Sequence, residues 1–271
     1  MTGFGPLVSG VWLVEHLDDP DLVVVDTRWS VADGPGRGAY EAGHIPGAVF
    51  ADLDTDLSAP ASPAAGRHPL PEPSAFAAAM SALGIGDATR VVVYDDAGGI
   101  IAARLWWMLD VLGSAVAVLD GGIVAWPGAL STVAPVVEPV SFTVAPWPIE
   151  RMVTADELMA LLGTTTIIDA RSAERYAAGS EIDPRPGHVP GARSAPATAN
   201  LANGRWRDPA ALAAHYVEVG ADGPDVVAYC GSGVTACADL LGRRIAGLPD
   251  GRLYVGSWSQ WGADASRPAE V

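Results

Sequence analysis

VVAYCGSGVTACADL, residues 226–240, decides the fold when it is laid over VVVYDDAGGIIAARL, residues 91–105. In each stretch an apolar run ends in one chemically distinctive side chain, Cys230 or Asp95, and a loop of small residues leads into a helical pattern. Other blocks repeat in the same order. LVVVDTR (22–28) matches TIIDAR (166–171), GHIPGA (43–48) matches GHVPGA (187–192), and LDGGIVAW (119–126) lies over YVGSWSQW (254–261). GRHPLPEPSAFAAAM (66–80) more loosely echoes GRWRDPAALAAHY (204–216). Asp95 to Trp126 and Cys230 to Trp261 both span 31 residues, so the chain reads as two copies of one domain.

The apolar runs at 22–25, 91–94, 115–119, 166–169 and 226–229 are continuous rather than alternating, as in parallel strands buried on both faces. Helical patterns separate them, which predicts an α/β fold: two tandem domains, each a mainly parallel sheet with helices on both faces. The expected boundaries are 1–130, a proline-rich linker at 131–150, and 151–271. Thr154 followed by Glu157 fits a capping box at a helix start. In such folds ligands collect beyond the carboxyl ends of the strands, where Cys230 and Asp95 both fall.

Composition narrows the function. The chain has 271 residues, 49% of them hydrophobic, and a net charge of −16, which argues against binding nucleic acid or an anionic membrane. All 16 basic residues are arginine, so Schiff-base chemistry and the lysine-dependent phosphate loop are excluded. Two cysteines suggest a reducing, cytoplasmic setting rather than a disulfide scaffold. The N-terminus does not read as a signal peptide, and no apolar run reaches the length of a membrane helix. The scattered histidines lack metal-ligand spacing, so no metal and no cofactor is expected.

Gly231 and Gly233 allow backbone conformations closed to other residues, so the loop can turn its amides inward as an anion nest. The helix expected at 234–245 directs its positive end to the same place. A thiolate or persulfide on Cys230 would be held there, whereas Cys237, inside the helix, reads as a packed small hydrophobe.

CGSGVTA (230–236) resembles the active-site loop of the rhodanese superfamily, in particular its 3-mercaptopyruvate sulfurtransferase branch. The paired GHxPGA blocks, YDDAGG (94–99) and GSWSQW (256–261) extend the resemblance over nearly the whole chain. It implies a catalytic C-terminal domain with Cys230 as nucleophile, and an N-terminal copy silenced by Asp95. It also implies that Gly231, Gly233, Val234, Thr235 and Ala236 cradle the substrate, that Arg175 and Arg185 clamp a keto acid, and that Ser232 hydrogen-bonds substrate or leaving group. A role for His44 beside that serine, oriented by Asp33, follows from the same resemblance. His44 and His188 occur in both copies, as do Arg28 and Arg171 after Asp26 and Asp169, which favours structural roles for these pairs. The family usually has aspartate where this chain has Val255.

Thiosulfate-specific members typically follow the cysteine with arginine and lysine; here Gly231 and Ser232 stand there, which favours 3-mercaptopyruvate over thiosulfate as donor. The acceptor is expected to be cyanide, a small thiol or thioredoxin. A cysteine phosphatase would need arginine where Ala236 stands. A non-catalytic sulfur carrier is the remaining alternative, and Val255 is its support.

Overall fold

The structure, a computed structural model, describes residues 4–271. The chain forms two compact units. One holds the chain as far as Ala59, then Pro71–Trp147 and Asn203–Arg205; the other holds Pro60–Leu70, Pro148–Ala202 and Trp206–Val271.

In the first unit the strands β1 (Leu7–Val8), β2 (Leu22–Asp26), β3 (Val49–Phe50), β4 (Arg90–Tyr94) and β5 (Val116–Leu119) form one sheet in the order β1-β5-β4-β2-β3. Every pairing is parallel, with Val24 opposite Val92 and Val92 opposite Ala117. The helices α1 (Gly10–His16), α2 (Arg37–Ala42), α3 (Pro73–Ala82) and α4 (Ala103–Val111) supply the covering layers. Continuous Val runs suit this place because both faces of β4 are shut off from water, with Val91–Tyr94 fully buried.

The second unit repeats the arrangement. Here β6 (Met152–Val153), β7 (Thr166–Asp169), β8 (Arg193–Ser194), β9 (Val226–Tyr229) and β10 (Arg252–Tyr254) pair in the order β8-β7-β9-β10-β6, again all parallel. Its helices are α5 (Ala155–Leu161), α6 (Ala173–Ala178), α7 (Pro209–Glu218), α8 (Ala236–Ile245) and the single-turn α9 (Ser257–Trp261). On one face Val227 and Tyr229 pack with Leu158, Trp258 and Trp261; on the other α8 lies against β9 and β10. Burying one such side chain contributes about 1.5–3 kcal/mol, so the central strand is fixed in place by its two apolar covers. The capping box at Thr154 and Glu157 is present, with the Thr154 hydroxyl accepting from the Glu157 amide at 3.2 Å and Glu157 accepting from the Thr154 amide at 2.7 Å.

The two-copy architecture and parallel sheets match the expectation from sequence, but the boundaries differ. Residues 131–147 are not a free tether: Phe142 is buried, edge-on to Phe76 at 5.9 Å, and the Trp147 indole donates to the Pro71 carbonyl at 2.8 Å. Proline keeps the segment extended, and its apolar side chains tie it to the first unit. Residues 60–70 depart in the other direction and belong to the second unit.

Asp26–Arg28 and Asp169–Arg171 form equivalent buried ion pairs at 2.6 and 2.7 Å. Each guanidinium also donates to a carbonyl of its GHxPGA turn, Gly43 or Gly187. Their duplication and burial assign them to holding that turn.

At the end of β4 the fully buried Asp95 carboxylate accepts from the amides of Ala97, Gly99, Ile101 and Ala102 at 2.7–2.8 Å. Burial pushes this carboxyl up, and the four amides pull the other way. Asp95→Ala would strand those amides, so it should destabilise the protein by about 3 kcal/mol or more in denaturant titration. A loss below about 1 kcal/mol would show that water fills the nest without penalty.

Candidate active site

Cys230 follows the last residue of the central strand β9 and is 2% exposed. Its backbone is pinned from the GSWSQW segment. The Cys230 amide donates to the Ser257 hydroxyl at 3.1 Å, and the Trp258 and Ser259 amides donate to the Cys230 and Gly231 carbonyls at 2.9 Å. Ser257 pays for this with a left-handed φ of 51°, uncommon for a residue with a side chain, and its hydroxyl donates to the Tyr254 carbonyl at 2.9 Å.

With two carbonyls drawn outward, two amides turn in. Gly233 N–H lies 3.1 Å from the Cys230 sulfur and Ser232 N–H 3.5 Å. Gly233 has a φ of +80°, and a methyl there would collide with the Val255 carbonyl. Residue 255 therefore meets the loop through its backbone, a contact valine provides as well as aspartate. Val234, Thr235 and Ala236 carry the chain into α8: the Val234 and Thr235 carbonyls accept from Cys237 and Ala238, and Ala236 opens the helix. Cys237 is fully buried, its thiol against the Gly233 carbonyl at 3.4 Å. Shielding from bulk water raises the worth of the amides facing Cys230, because fewer water dipoles screen them.

Arg175, on α6, reaches over Gly231: a methyl added at that glycine would lie 2.8 Å from its Nη2. Asp183 aims this guanidinium with contacts of 2.5 and 3.1 Å. Burial works against charge on Asp183, but Arg175 and the Ser180 hydroxyl outweigh it and hold the carboxyl below its usual range. Arg185 is placed otherwise. Its guanidinium donates to the Arg267 carbonyl at 2.7 Å and sits 5.8 Å from the centre of the Trp258 ring. Only Nη2 makes hydrogen bonds, and Nε is buried without a partner.

The histidine that pairs with Ser232 is His68, not the expected His44. The Ser232 hydroxyl lies 2.8 Å from Nδ1 of His68, and both groups are buried. His44 has its ring nitrogens on the Tyr40 and Val133 carbonyls, at 2.7 and 3.1 Å, and stacks on Tyr40, which makes it a brace for its turn. Asp33 exchanges hydrogen bonds with Ser30 at 2.9 and 3.0 Å. Two residues of the site, Arg67 and His68, come from the 60–70 segment. The signal for His68 lies in the repeat: its counterpart in GRWRDPAALAAHY is Trp206, so this histidine, unlike His44, belongs to one copy alone.

A strand-end cysteine facing inward amides, flanked by guanidinium groups and a Ser–His pair, is equipped for nucleophilic chemistry on an anionic substrate. No cluster of three or more metal-binding side chains occurs among the described residues, and no helix among them is long and apolar enough to cross a membrane.

The fold and this loop define a class: the chain belongs to the rhodanese-like domain family, whose model matches residues 9–129 and again 154–264. Among its relatives, a Pseudomonas aeruginosa protein named "Probable 3-mercaptopyruvate sulfurtransferase" is 42% identical over 97% of this chain and 96% of its own length. The Escherichia coli 3-mercaptopyruvate sulfurtransferase is 38% identical over 97% of each chain. The crystal structure of SseA from Escherichia coli, described as showing the rhodanese fold of 3-mercaptopyruvate sulfotransferases, superposes with a TM-score of 0.84 at 35% identity over 93% of this chain and 98% of that one.

Gly233→Ala should lower unfolding stability by about 2 kcal/mol, combining a left-handed alanine with the clash against Val255. It should also slow alkylation of Cys230 by iodoacetamide; unchanged stability and rate would mean that the loop does not need its inward turn.

Proposed function

We propose that the protein is a sulfurtransferase that moves sulfur from 3-mercaptopyruvate, through a persulfide on Cys230, to a small acceptor. The observation that carries the reading is the pair of amides at the Cys230 sulfur with the Arg175 guanidinium beside the same loop. The names of the relatives support it.

In the first half-reaction the Cys230 thiolate attacks the donor sulfur while Arg175 holds the donor carboxylate. A sulfur–sulfur bond forms, the carbon–sulfur bond breaks, and its electron pair leaves on the three-carbon fragment as pyruvate enolate. The thiol proton of the donor moves to that carbon, giving pyruvate and the Cys230 persulfide anion. Ser232 and His68, 2.8 Å apart, provide a path for the proton. In the second half-reaction cyanide, a small thiol or thioredoxin attacks the outer sulfur and the Cys230 thiolate is restored; with cyanide the product is thiocyanate. No group outside the protein and its two substrates is consumed. Arg185 supports the site by tying Trp258 and the C-terminal segment together, with its own carbonyl accepting from the Trp258 indole at 3.0 Å.

The first unit is silent in this scheme because the Asp95 carboxylate fills its own nest with four hydrogen bonds. A carboxylate oxygen cannot carry sulfane sulfur in a stable form. The two free thiols suit a reducing, cytoplasmic setting.

Thiosulfate is the second donor to weigh. A Mycobacterium tuberculosis relative, 37% identical over 97% of this chain, bears a provisional thiosulfate sulfurtransferase name. Steady-state assays with each donor and cyanide decide between them. Higher kcat/KM for 3-mercaptopyruvate is expected; a preference for thiosulfate would overturn the donor assignment. Cys230→Ser should release no pyruvate above background. His68→Gln should lower kcat about 100-fold while leaving iodoacetamide alkylation nearly unchanged, as a proton-relay role requires. Equal losses in both would make His68 a structural residue instead.

A further inference from the structure

The two copies part company between a tyrosine and a histidine that both of them share. His44 Nδ1 lies 2.7 Å from the Tyr40 carbonyl and His188 Nδ1 3.2 Å from the Tyr176 carbonyl, and each ring stacks on its tyrosine. The partners are four residues apart in the first copy and twelve in the second, so eight residues, 179–186, are added between the same two braces. Only the copy that carries the cysteine has them. The insert closes at its ends: Gly179, at φ +71°, comes so near Pro186 that a methyl would be 2.9 Å from its Cα.

Asp183 is the carboxylate that this insert turns inward; Glu181 is exposed, whereas the Asp183 side chain is 1% exposed. It accepts from Arg175 Nη2 and Nε at 2.5 and 3.1 Å and from the Ser180 hydroxyl at 2.8 Å. Its own amide donates to the Ser180 carbonyl at 3.0 Å, which fixes its base. Arg171 Nη1 stands 3.7 Å away, but Arg171 is already paired with Asp169 at 2.7 Å. Asp183 is therefore the counter-charge of Arg175.

A guanidinium bound this way still donates from its remaining N–H groups, but the carboxylate cancels most of the field it casts. The charges around the nucleophile can be counted. A methyl at Gly231 would lie 2.8 Å from Arg175 Nη2 and 3.1 Å from Arg67 Nη2. Burial and Arg175 work against the charge on Arg67, while Cys230 and Asp183 favour it, so these four groups act on one another. Two guanidinium groups and one carboxylate leave a single positive charge, which the Cys230 thiolate balances. A donor with one negative charge finds N–H groups and a near-neutral field. A second negative charge finds no counter-charge, in a chain whose net charge is −16.

We propose that Asp183 is a specificity-determining residue: by cancelling the charge of Arg175 it matches the site to singly charged donors and turns away doubly charged ones. The donor half of this rests on the sulfurtransferase reading; the charge half does not.

The test reads ratios in the full chain, so that a general change in Cys230 reactivity cancels. Cys230 is alkylated with iodoacetate and with iodoacetamide, which differ by one negative charge, and the modified peptide is identified by mass spectrometry. Asp183→Asn and Asp183→Ser each remove the carboxylate, and Asp183→Glu keeps it. In either neutral variant the iodoacetate-to-iodoacetamide rate ratio should rise about tenfold over wild type, and Asp183→Glu should stay near wild type. In turnover with cyanide, kcat/KM for thiosulfate relative to 3-mercaptopyruvate should rise about tenfold in the same neutral variants. Either ratio unchanged in a neutral variant that folds by circular dichroism, or raised equally in Asp183→Glu, overturns the proposal. So does loss of the fold in both neutral variants beside a folded Asp183→Glu, which would make Asp183 a structural anchor. If the alkylation ratio rises but wild type takes sulfur from neither donor, the charge role stands and the sulfurtransferase reading falls. If wild type transfers sulfur and the alkylation ratio does not move, the reverse holds.

Discussion

Two backbone carbonyls pulled outward and two amides turned inward make the Cys230 site. The Trp258 and Ser259 amides take the Cys230 and Gly231 carbonyls, and Gly233, in a left-handed conformation against the Val255 carbonyl, completes the turn toward the sulfur. None of these contacts needs a charged side chain. They need a rigid strand end, small residues after it, and a second segment to hold the loop. The core supplies the first through β9, sealed on both faces; GSWSQW supplies the last, at the expense of a strained Ser257.

The same device occurs in the first unit with a different occupant. There a buried carboxylate draws four amides; here a sulfur draws two and has guanidinium groups close by. A loop whose amides already satisfy an internal anion has no reason to take an external one. The Cys230 loop brings only two amides to its sulfur. One architecture thus yields two nests with different occupants, and the difference rests on the residue at the strand end.

Much of this was legible in the sequence because repetition shows twice what any single motif shows once. The matched blocks predicted the two parallel sheets, and the Asp–Arg pairs were readable as structural from their presence in both copies. The two-residue strands β1, β3, β6 and β8 were not legible, since pairs such as Arg193–Ser194 carry no periodic signal and pair only because a neighbouring edge is there. The 131–147 segment misled because proline content says extended, not detached; Phe142 and Trp147 decide where it lies. His44 misled because a family resemblance drew attention to it, although its duplication as His188 argued for a brace. His68, present in one copy only, had the better credentials. Arg67 could not be found this way, because Arg205 stands at the matching place in the other copy and only the fold brings 67 to the loop.

The central claim is that Cys230 carries sulfur as a persulfide anion. Mass spectrometry of the intact protein and its peptides after brief exposure to 3-mercaptopyruvate tests it most directly. The account predicts a gain of about 32 Da confined to the Cys230 peptide, removed on adding cyanide with one thiocyanate formed. No gain there, or a gain that cyanide does not discharge, would contradict it.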